Sequence, residues 1–299
     1  MRHVDILIVG AGAAGIAAAK SAYEAGCKNI LLVERRKTMG GILLQCAHRG
    51  FGAQLTGVEY AERMAEHFPK EIPFLPESTV LEVTSQKTAV ISGRYSGLQK
   101  ISFRQLILAA GCLEVPMGAL PIAGTRPTTG IFTAGQAQEL MNVYHQIPKG
   151  PAVILGSGDL GLIMARQLAV DGVEIRALVE QRTSCGGMRR NQSCIAELNI
   201  PLIYSSTVAE VFGEEQLSGV KIRNLLTGRE EDMPCRSLLI AAGLRPDRAV
   251  VSHLGELDWL HMCGNCNVVH SMVETVAAEG RQAGNAAYDK IRNDDGNSS

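Results

Sequence analysis

The apolar, small and polar residues of the chain follow one pattern twice. In each copy an apolar strand runs into a glycine-rich turn, a helix of small residues follows, and a second apolar strand ends at a glutamate. The copies occupy residues 4–41 and 152–187, and positions 10, 34 and 40 recur at 156, 180 and 186, always 146 residues later. Apolar runs of strand length around a helix-length segment predict a duplicated strand, turn, helix, strand unit.

The glycine turns indicate what the two units bind. The first glycine of such a turn ends a buried strand, the second lets the backbone approach a pyrophosphate, and the third lets the helix pack closely on the strand. The pyrophosphate lies at the helix N-terminus, where free N–H groups and peptide dipoles favour negative charge. Glu34 and Glu180 each follow their first glycine by 24 residues and are placed to accept hydrogen bonds from a ribose.

The remaining segments predict further elements. Alternation over residues 79–107 predicts antiparallel strands with turns at Ser92-Gly93 and Ser96-Gly97. A buried strand that ends in Ala-Ala-Gly occurs twice, at Gly111 and at Gly243. Helices are expected at residues 12–25, 59–68 and 272–288, and the polar residues 293–299 are expected to be disordered.

Composition restricts the class of protein. The 299 residues are 46% hydrophobic and 20% charged, which is typical of a soluble globular protein with two domains. A net charge of -1 and a pI near 6.7 give no electrostatic footprint for nucleic acid. The apolar runs are of strand length, so no membrane span is predicted. The N-terminus leads directly into a strand, so we expect no signal peptide and a cytoplasmic location.

Cysteine usage leaves one question open. Most of the eight cysteines are expected to be buried, reduced thiols. Cys263 and Cys266 have the CxxC spacing of a redox pair or of half a metal site. The sequence has no second CxxC to complete a four-thiolate site, and the segment also reads as a strand-to-helix turn that contacts phosphate.

The order of the motifs resembles a known superfamily. Two glycine turns with their glutamates, two Ala-Ala-Gly strand ends, Pro246 and a late Cys-Gly-Asn before an alanine-rich helix are typical of the pyridine nucleotide-disulfide oxidoreductase superfamily, flavoproteins with two dinucleotide-binding domains. The resemblance covers nearly the whole chain. It implies an α/β fold of two Rossmann-like domains, with the NAD(P) domain, residues 119–242, inserted into the FAD domain, residues 1–118 and 243–299.

The resemblance also implies which residues bind the cofactors FAD and NAD(P)H. The FAD contacts would be Gly10, Gly12, Ala13, Ala14, Gly15, Glu34, Arg35, Gly41, Ala110, Gly111, Gly264 and Asn265. The NAD contacts would be Gly156, Gly158, Asp159, Gly161, Glu180 and Gly243. For Asp159 the alternative is a helix-start residue stabilised by the helix dipole.

Glu180 bears on the choice of nucleotide. A carboxylate at the end of this strand accepts hydrogen bonds from the ribose hydroxyls of NAD and repels the 2′-phosphate of NADP. Arg182, two residues later, could offset that repulsion. NADH is therefore the favoured nucleotide.

The loop after Gly40-Gly41 supplies the catalytic candidates His48 and Cys46. The superfamily places this loop against the flavin ring, where His48 could stabilise the reduced flavin or move a proton. An exposed loop histidine is the alternative. The disulfide reductases of the superfamily carry CxxxxC or CxxC pairs beside the flavin, and neither their first-domain nor their second-domain pair is present here.

A narrower likeness rests on residues 40–52, 119–127, 155–166 and 263–265, which are similar to flavoprotein subunits of bacterial glycerol-3-phosphate, opine, sarcosine and hydroxyproline dehydrogenase systems. It implies hydride exchange with NAD(H) and electron transfer to a partner subunit or small acceptor, within a homo- or hetero-oligomer. One alternative is a thiol-disulfide or peroxide reductase that uses Cys263 and Cys266. Another is a non-catalytic nucleotide-binding subunit, favoured by the short segment 243–264, which would weaken FAD retention.

Overall fold

The computed structural model describes residues 2–296. The helices are α1 (Ala13–Ala25), α2 (Gly57–Glu66), α3 (Ala134–Asn142), α4 (Asp159–Val170), α5 (Arg189–Glu197) and α6 (Val273–Gly296). The strands are β1 (Arg2–Val9), β2 (Ile30–Val33), β3 (Arg49–Phe51), β4 (Leu55–Thr56), β5 (Phe74–Leu75), β6 (Ser78–Thr84), β7 (Thr88–Gly93), β8 (Gly97–Leu108), β9 (Cys112–Glu114), β10 (Ala123–Gly124), β11 (Ile131–Thr133), β12 (Ala152–Leu155), β13 (Ile175–Val179), β14 (Leu202–Ile203), β15 (Ser206–Gly213), β16 (Leu217–Asn224), β17 (Glu230–Pro234), β18 (Ser237–Ile240), β19 (Leu244–Pro246) and β20 (Leu260–Met262).

The chain forms two compact units. Unit 1 runs to Leu113 and resumes at Arg245, and unit 2 is Glu114–Leu244. The sequence prediction placed these two divisions after residues 118 and 242. Which cofactor each unit holds stays a prediction from the sequence.

Unit 1 is built on a mixed sheet in the order β5-β2-β1-β8-β7-β6, with β20 also paired to β8. The strand β1 lies between two parallel neighbours, so Leu7 is opposite both Leu31 on β2 and Leu106 on β8. These strands are apolar on both faces because both faces of the sheet are covered. Strands β6, β7 and β8 pair antiparallel, and the carboxyl ends of β1, β2 and β8 meet at one edge of the sheet.

Small residues let two helices of unit 1 approach each other closely. A side chain at Gly280 of α6 would overlap with the carbonyl oxygen of Ala14 on α1, and one at Gly284 would overlap with the carbonyl oxygen of Ala18. The alanines of α1 are buried against the sheet on the other side. The helix α6 therefore fixes the position of α1, whose N-terminus carries the first glycine turn.

Unit 2 repeats the parallel layer with the order β11-β18-β12-β13-β14. All the pairs in this sheet are parallel, with Ile154 of β12 opposite Leu178 of β13 and Leu239 of β18. A second sheet of unit 2 has the order β10-β15-β16-β17. The architecture of strand, glycine turn and helix thus occurs once in each unit.

Two predicted details were wrong. A single turn at residues 94–96, not two, separates β7 from β8, and the other hairpin turn lies at residues 85–87. There Lys87 adopts φ 57° and its N–H donates to Thr84 O. The sequence did not indicate this left-handed conformation, because the turn contains neither glycine nor asparagine.

Residues 293–296 belong to α6 rather than to a disordered tail, because Asp295 accepts two hydrogen bonds from the Arg104 guanidinium. The rest of that predicted tail, 297–299, lies outside the described residues.

We expect Gly284→Ala to destabilise unit 1. The added methyl group would overlap with backbone atoms of α1, and overpacking of this kind costs about 1–3 kcal/mol, more than the roughly 1 kcal/mol that alanine gains over glycine in helix propensity. Thermal unfolding should therefore show a lower Tm than that of the native chain. Asn285→Ala, at an exposed position of the same helix, is the control. A Gly284→Ala protein as stable as Asn285→Ala would contradict the close packing.

Candidate functional site

The glycine turn of unit 1 connects β1 to the N-terminus of α1. Gly10 adopts φ 102°, a conformation that L side chains rarely adopt, and a side chain there would overlap with the oxygen of Ala109, the residue that follows β8. A side chain at Gly15 would overlap with Gly10 O. The turn is therefore as tight as the spacing of its glycines predicts.

The N-terminus of α1 is prepared for an anion. Gly12 is the N-cap, and within the described residues no side chain caps the helix and its first turn holds no acid. The Gly41 backbone lies alongside, since a side chain at Gly41 would come within 3.0 Å of Gly12 Cα. Ala13 and Ala14 are buried in the first turn. Backbone N–H groups without a competing carboxylate fit a pyrophosphate.

Glu34 joins the end of β2 to this turn. Its side chain is 6% exposed, with Oε2 accepting from Ala11 N–H at 2.7 Å and Oε1 accepting from Arg36 N–H at 2.8 Å. Each carboxylate oxygen has a second lone pair, so the same group can accept from ribose hydroxyls. Arg35, the next residue, is exposed.

A further part of unit 1 reaches the same helix. The turn that follows β20 brings Gly264 against α1, where a side chain at Gly264 would lie 2.8 Å from Ala14 Cβ. Asn265 is held by His270 N–H, which donates to Oδ1 at 3.0 Å, and its Nδ2 lies 3.7 Å from Cys112 Sγ. Ala110 and Gly111 follow the end of β8. The structure thus brings the predicted FAD residues of the turn, the Gly-Gly loop and the late Cys-Gly-Asn segment together around the N-terminus of α1.

The glycine turn of unit 2 has the same geometry. Gly156 adopts φ 107° and a side chain there would overlap with Ala241 O, while one at Gly161 would overlap with Gly156 O. A side chain at Gly158 would meet no described atom within 4 Å. Gly243, at the other predicted contact, adopts φ 118°.

Glu180 is the equivalent of Glu34. Its Oε2 accepts from Ser157 N–H at 2.9 Å and from Ser157 Oγ at 2.5 Å, and its Oε1 accepts from Arg182 N–H at 2.9 Å. Burial raises the pKa of this carboxyl, but the hydrogen bonds from Ser157 and Arg182 outweigh it, and the pKa lies below its ordinary value. Glu180 is therefore ionised at neutral pH.

Asp159 has a partner within the protein. Its Oδ1 accepts from Met188 N–H at 2.8 Å and from Asn191 Nδ2 at 2.6 Å, so it ties the start of α4 to the start of α5. This arrangement matches the helix-start interpretation. A contact from Asp159 to a nucleotide stays a prediction.

Sequence reasoning missed Ser157. Besides donating to Glu180, its Oγ accepts from Gly186 N–H at 3.1 Å, which brings the second Gly-Gly pair onto the glycine turn. The sequence does contain a signal for this role: Ser157 carries a hydroxyl, lies between Gly156 and Gly158, and stands 146 positions after Ala11.

The catalytic candidates lie in the loop before α2. Cys46 is buried, its thiol donates to Ile42 O at 3.4 Å, and burial raises its pKa to about 12. Such a thiol is a poor nucleophile at neutral pH. The ring of His48 is half-buried and its centroid lies 5.1 Å from that of Phe51. Their catalytic roles stay predictions.

Cys263 and Cys266 are 1% and 0% exposed and are not joined as a disulfide. The Cys266 thiol donates to Leu108 O at 2.9 Å. Burial raises the pKa of both thiols. Within residues 2–296 no cluster of three metal-ligating side chains occurs, and no helix of that range combines the length and apolar character that crossing a bilayer demands.

Comparison with known proteins agrees with this geometry. The alpha chain of sarcosine oxidase from Rhizobium meliloti is 25% identical over 272 residues, which cover 85% of this chain and 26% of that protein. An opine oxidase subunit from Agrobacterium tumefaciens is 26% identical over 283 residues, which cover 85% of this chain and 55% of that protein. The chain therefore spans about a quarter of the first relative and about half of the second.

A solved structure and a family model complete the comparison. Thioredoxin reductase of T. acidophilum matches with a TM-score of 0.81 at 20% identity, covering 97% of this chain and 99% of that chain, and so shows the fold alone. The family model described as pyridine nucleotide-disulphide oxidoreductase matches residues 4–259. The predicted superfamily and two-Rossmann fold are confirmed. The chain belongs to the pyridine nucleotide-disulphide oxidoreductase family, whose members are FAD-dependent oxidoreductases that use NAD(P)H.

Proposed function

We propose that unit 1 binds FAD, that unit 2 binds NADH, and that the protein exchanges a hydride with NAD(H) and passes electrons to a partner subunit or small acceptor. The observation that carries this proposal is the pair of glycine turns, each held by a buried glutamate through backbone N–H groups. Bound flavin supplies the redox chemistry, and the residues of the chain supply binding and orientation.

The assignment of FAD to unit 1 is supported by the surroundings of α1. Its N-terminus has neither an acid in the first turn nor a capping side chain among the described residues. The Gly41 and Gly264 backbones lie against Gly12 and Ala14, which enlarges the backbone surface offered to a ligand. In unit 2 the corresponding first turn holds Asp159. A tightly held dinucleotide fits unit 1 better.

The preference for NADH is supported by the ionised Glu180. Its depressed pKa keeps a negative charge where a ribose would lie, and that charge repels a 2′-phosphate. Arg182 donates to this carboxylate through its backbone N–H. Its guanidinium lies towards Gly186, since a side chain at Gly186 would come 3.4 Å from Arg182 Nη1.

The electron acceptor is proposed from the relatives. Two of them are named as subunits of oxidases, and both are longer than the region matched here. By that likeness, electrons from the flavin of this chain would pass to a partner subunit or small acceptor. The alternative thiol reductase is disfavoured because both Cys263 and Cys266 are buried with raised pKa values.

Purified protein reconstituted with FAD should be yellow, and NADH should bleach its visible flavin absorption without air. The same addition of NADPH should bleach it more slowly. A protein that binds FAD and is not reduced by either nucleotide would instead be the non-catalytic subunit. A protein that takes up no FAD would refute the proposal.

Substitution of the two glutamates should separate the two sites. In Glu180→Gln an amide oxygen replaces only one of two acceptor oxygens and the charge is lost, so the KM for NADH should rise about tenfold, as expected for a hydrogen bond to a charged group. The KM for NADPH should fall because the repulsion is gone. Bound FAD should be unchanged.

Glu34→Gln is the matched control. It alters the equivalent carboxylate in unit 1, so it should lower FAD content. The KM for NADH, measured on the fraction that retains FAD, should be unchanged. If Glu180→Gln released FAD and Glu34→Gln changed the KM for NADH, the assignment of cofactors to the units would have to be reversed.

Alkylation at pH 8 tests the thiol reductase alternative. Because burial raises the pKa of Cys263 and Cys266, they should react at least about tenfold more slowly than the half-buried Cys194. Mass spectrometry of peptides from the native protein measures the rates, and urea-unfolded protein is the control for intrinsic reactivity. Fast labelling of both cysteines in the native protein would revive that alternative.

A further inference from the structure

Two hydrogen bonds and one ion-pair contact connect four residues of unit 1 in a ring at the turn after β20. Glu279 on α6 accepts from Gly264 N–H through Oε2 at 2.8 Å, and its Oε1 lies 2.9 Å from His270 Nε2. The backbone N–H of His270 donates to Asn265 Oδ1 at 3.0 Å. The ring therefore runs from Gly264 through Glu279 and His270 to Asn265, and it begins and ends on neighbouring residues of the turn.

This ring determines what the turn offers to a ligand. A backbone N–H can only donate, so the amide of Asn265 must turn its oxygen towards His270 and keep its NH2 group as a donor. One hydrogen of that NH2 group donates to Cys112 Sγ at 3.7 Å, and the second is left for a ligand. The N–H of Gly264 is used by Glu279. The turn therefore presents a side-chain donor from Asn265, and its orientation is set by His270 and Glu279.

The ring lies in a partly shielded place. The side chains of His270 and Glu279 are 17% and 23% exposed, so water competes less for their polar contacts than at an open surface. Arg248 holds the other side of the turn, because its guanidinium donates to Cys266 O at 2.7 Å and to Asn267 O at 2.5 Å. The turn is thus fixed from both sides by side chains remote in sequence.

We propose that Glu279 and His270 are positioning residues for FAD. They hold Gly264 against α1 and keep the amide NH2 of Asn265 available as a donor to the flavin nucleotide. Neither residue needs to touch the cofactor. The inference rests on FAD binding in unit 1, and it adds to that proposal two residues that act through the turn.

The test is a titration of the full-length apoprotein with FAD, in which quenching of flavin fluorescence measures binding. Glu279→Ala removes both acceptors and should raise the Kd for FAD about tenfold or more. Glu279→Gln keeps an acceptor for Gly264 N–H, and its amide NH2 can donate to His270 Nε2 once the ring proton moves to Nδ1, so its Kd should stay within about threefold of that of the native chain. Asp289→Ala, exposed on the same helix, is the control and should leave the Kd unchanged.

A second set of variants distinguishes positioning from general stability. His270→Ala should also weaken FAD binding, and the double variant should be no worse than Glu279→Ala alone, because Glu279→Ala already removes the contact to His270. The visible spectrum of bound flavin should change in both single alanine variants and not in Glu279→Gln. If Glu279→Ala does not fold, FAD binding by His270→Ala and Glu279→Gln still tests the proposal.

The outcomes separate the inference from the function on which it rests. A native chain that does not bind FAD removes the proposed function itself. A native chain that binds FAD, with Glu279→Ala or His270→Ala binding it equally well, overturns the positioning role alone. A loss in Glu279→Gln as large as that in Glu279→Ala also overturns it, because the amide can keep a contact to both Gly264 N–H and His270 Nε2.

Discussion

The structure of both candidate sites depends on a buried glutamate that closes a glycine turn. Such a turn leaves backbone N–H groups without partners inside a crowded sheet edge, and an unpartnered buried N–H is costly. Glu34 and Glu180 each accept from the residue after the first glycine and from the residue two positions after themselves. One carboxylate therefore joins the first strand of its unit to the second and fixes the glycine turn between them.

The two units use this interaction differently. In unit 1 the loop after β2 approaches the turn through the backbone, with Gly40 N–H donating to Ala11 O at 2.8 Å. In unit 2 the loop after β13 is attached to the turn through side chains instead. Ser157 Oγ accepts from Gly186 N–H, and Asp159 Oδ1 accepts from Met188 N–H. An acid in the first turn of α4 uses part of the favourable potential at that helix end. Unit 1 keeps that potential, because the first turn of α1 holds no acid.

The sequence predicted what is local and missed what is remote. The constant spacing of 146 residues identified both turns, because glycine geometry and strand length are encoded within one short segment. Lys87 in a left-handed turn and Arg104 paired with Asp295 were missed, since neither carries a compositional signal. Glu279 was missed for the same reason. Its partner Gly264 is 15 residues away, and only the packing of α6 brings them together.

For Cys263 and Cys266, burial rather than the CxxC spacing determines the reactivity of the thiols. The spacing of Cys263 and Cys266 is that of a redox pair, yet each thiol lies in the core, and Cys266 donates to a strand carbonyl. A thiolate at such a place would lose its hydration with little compensation, which is why burial raises both pKa values. Under the proposed function, electrons would therefore leave the flavin without passing through these thiols.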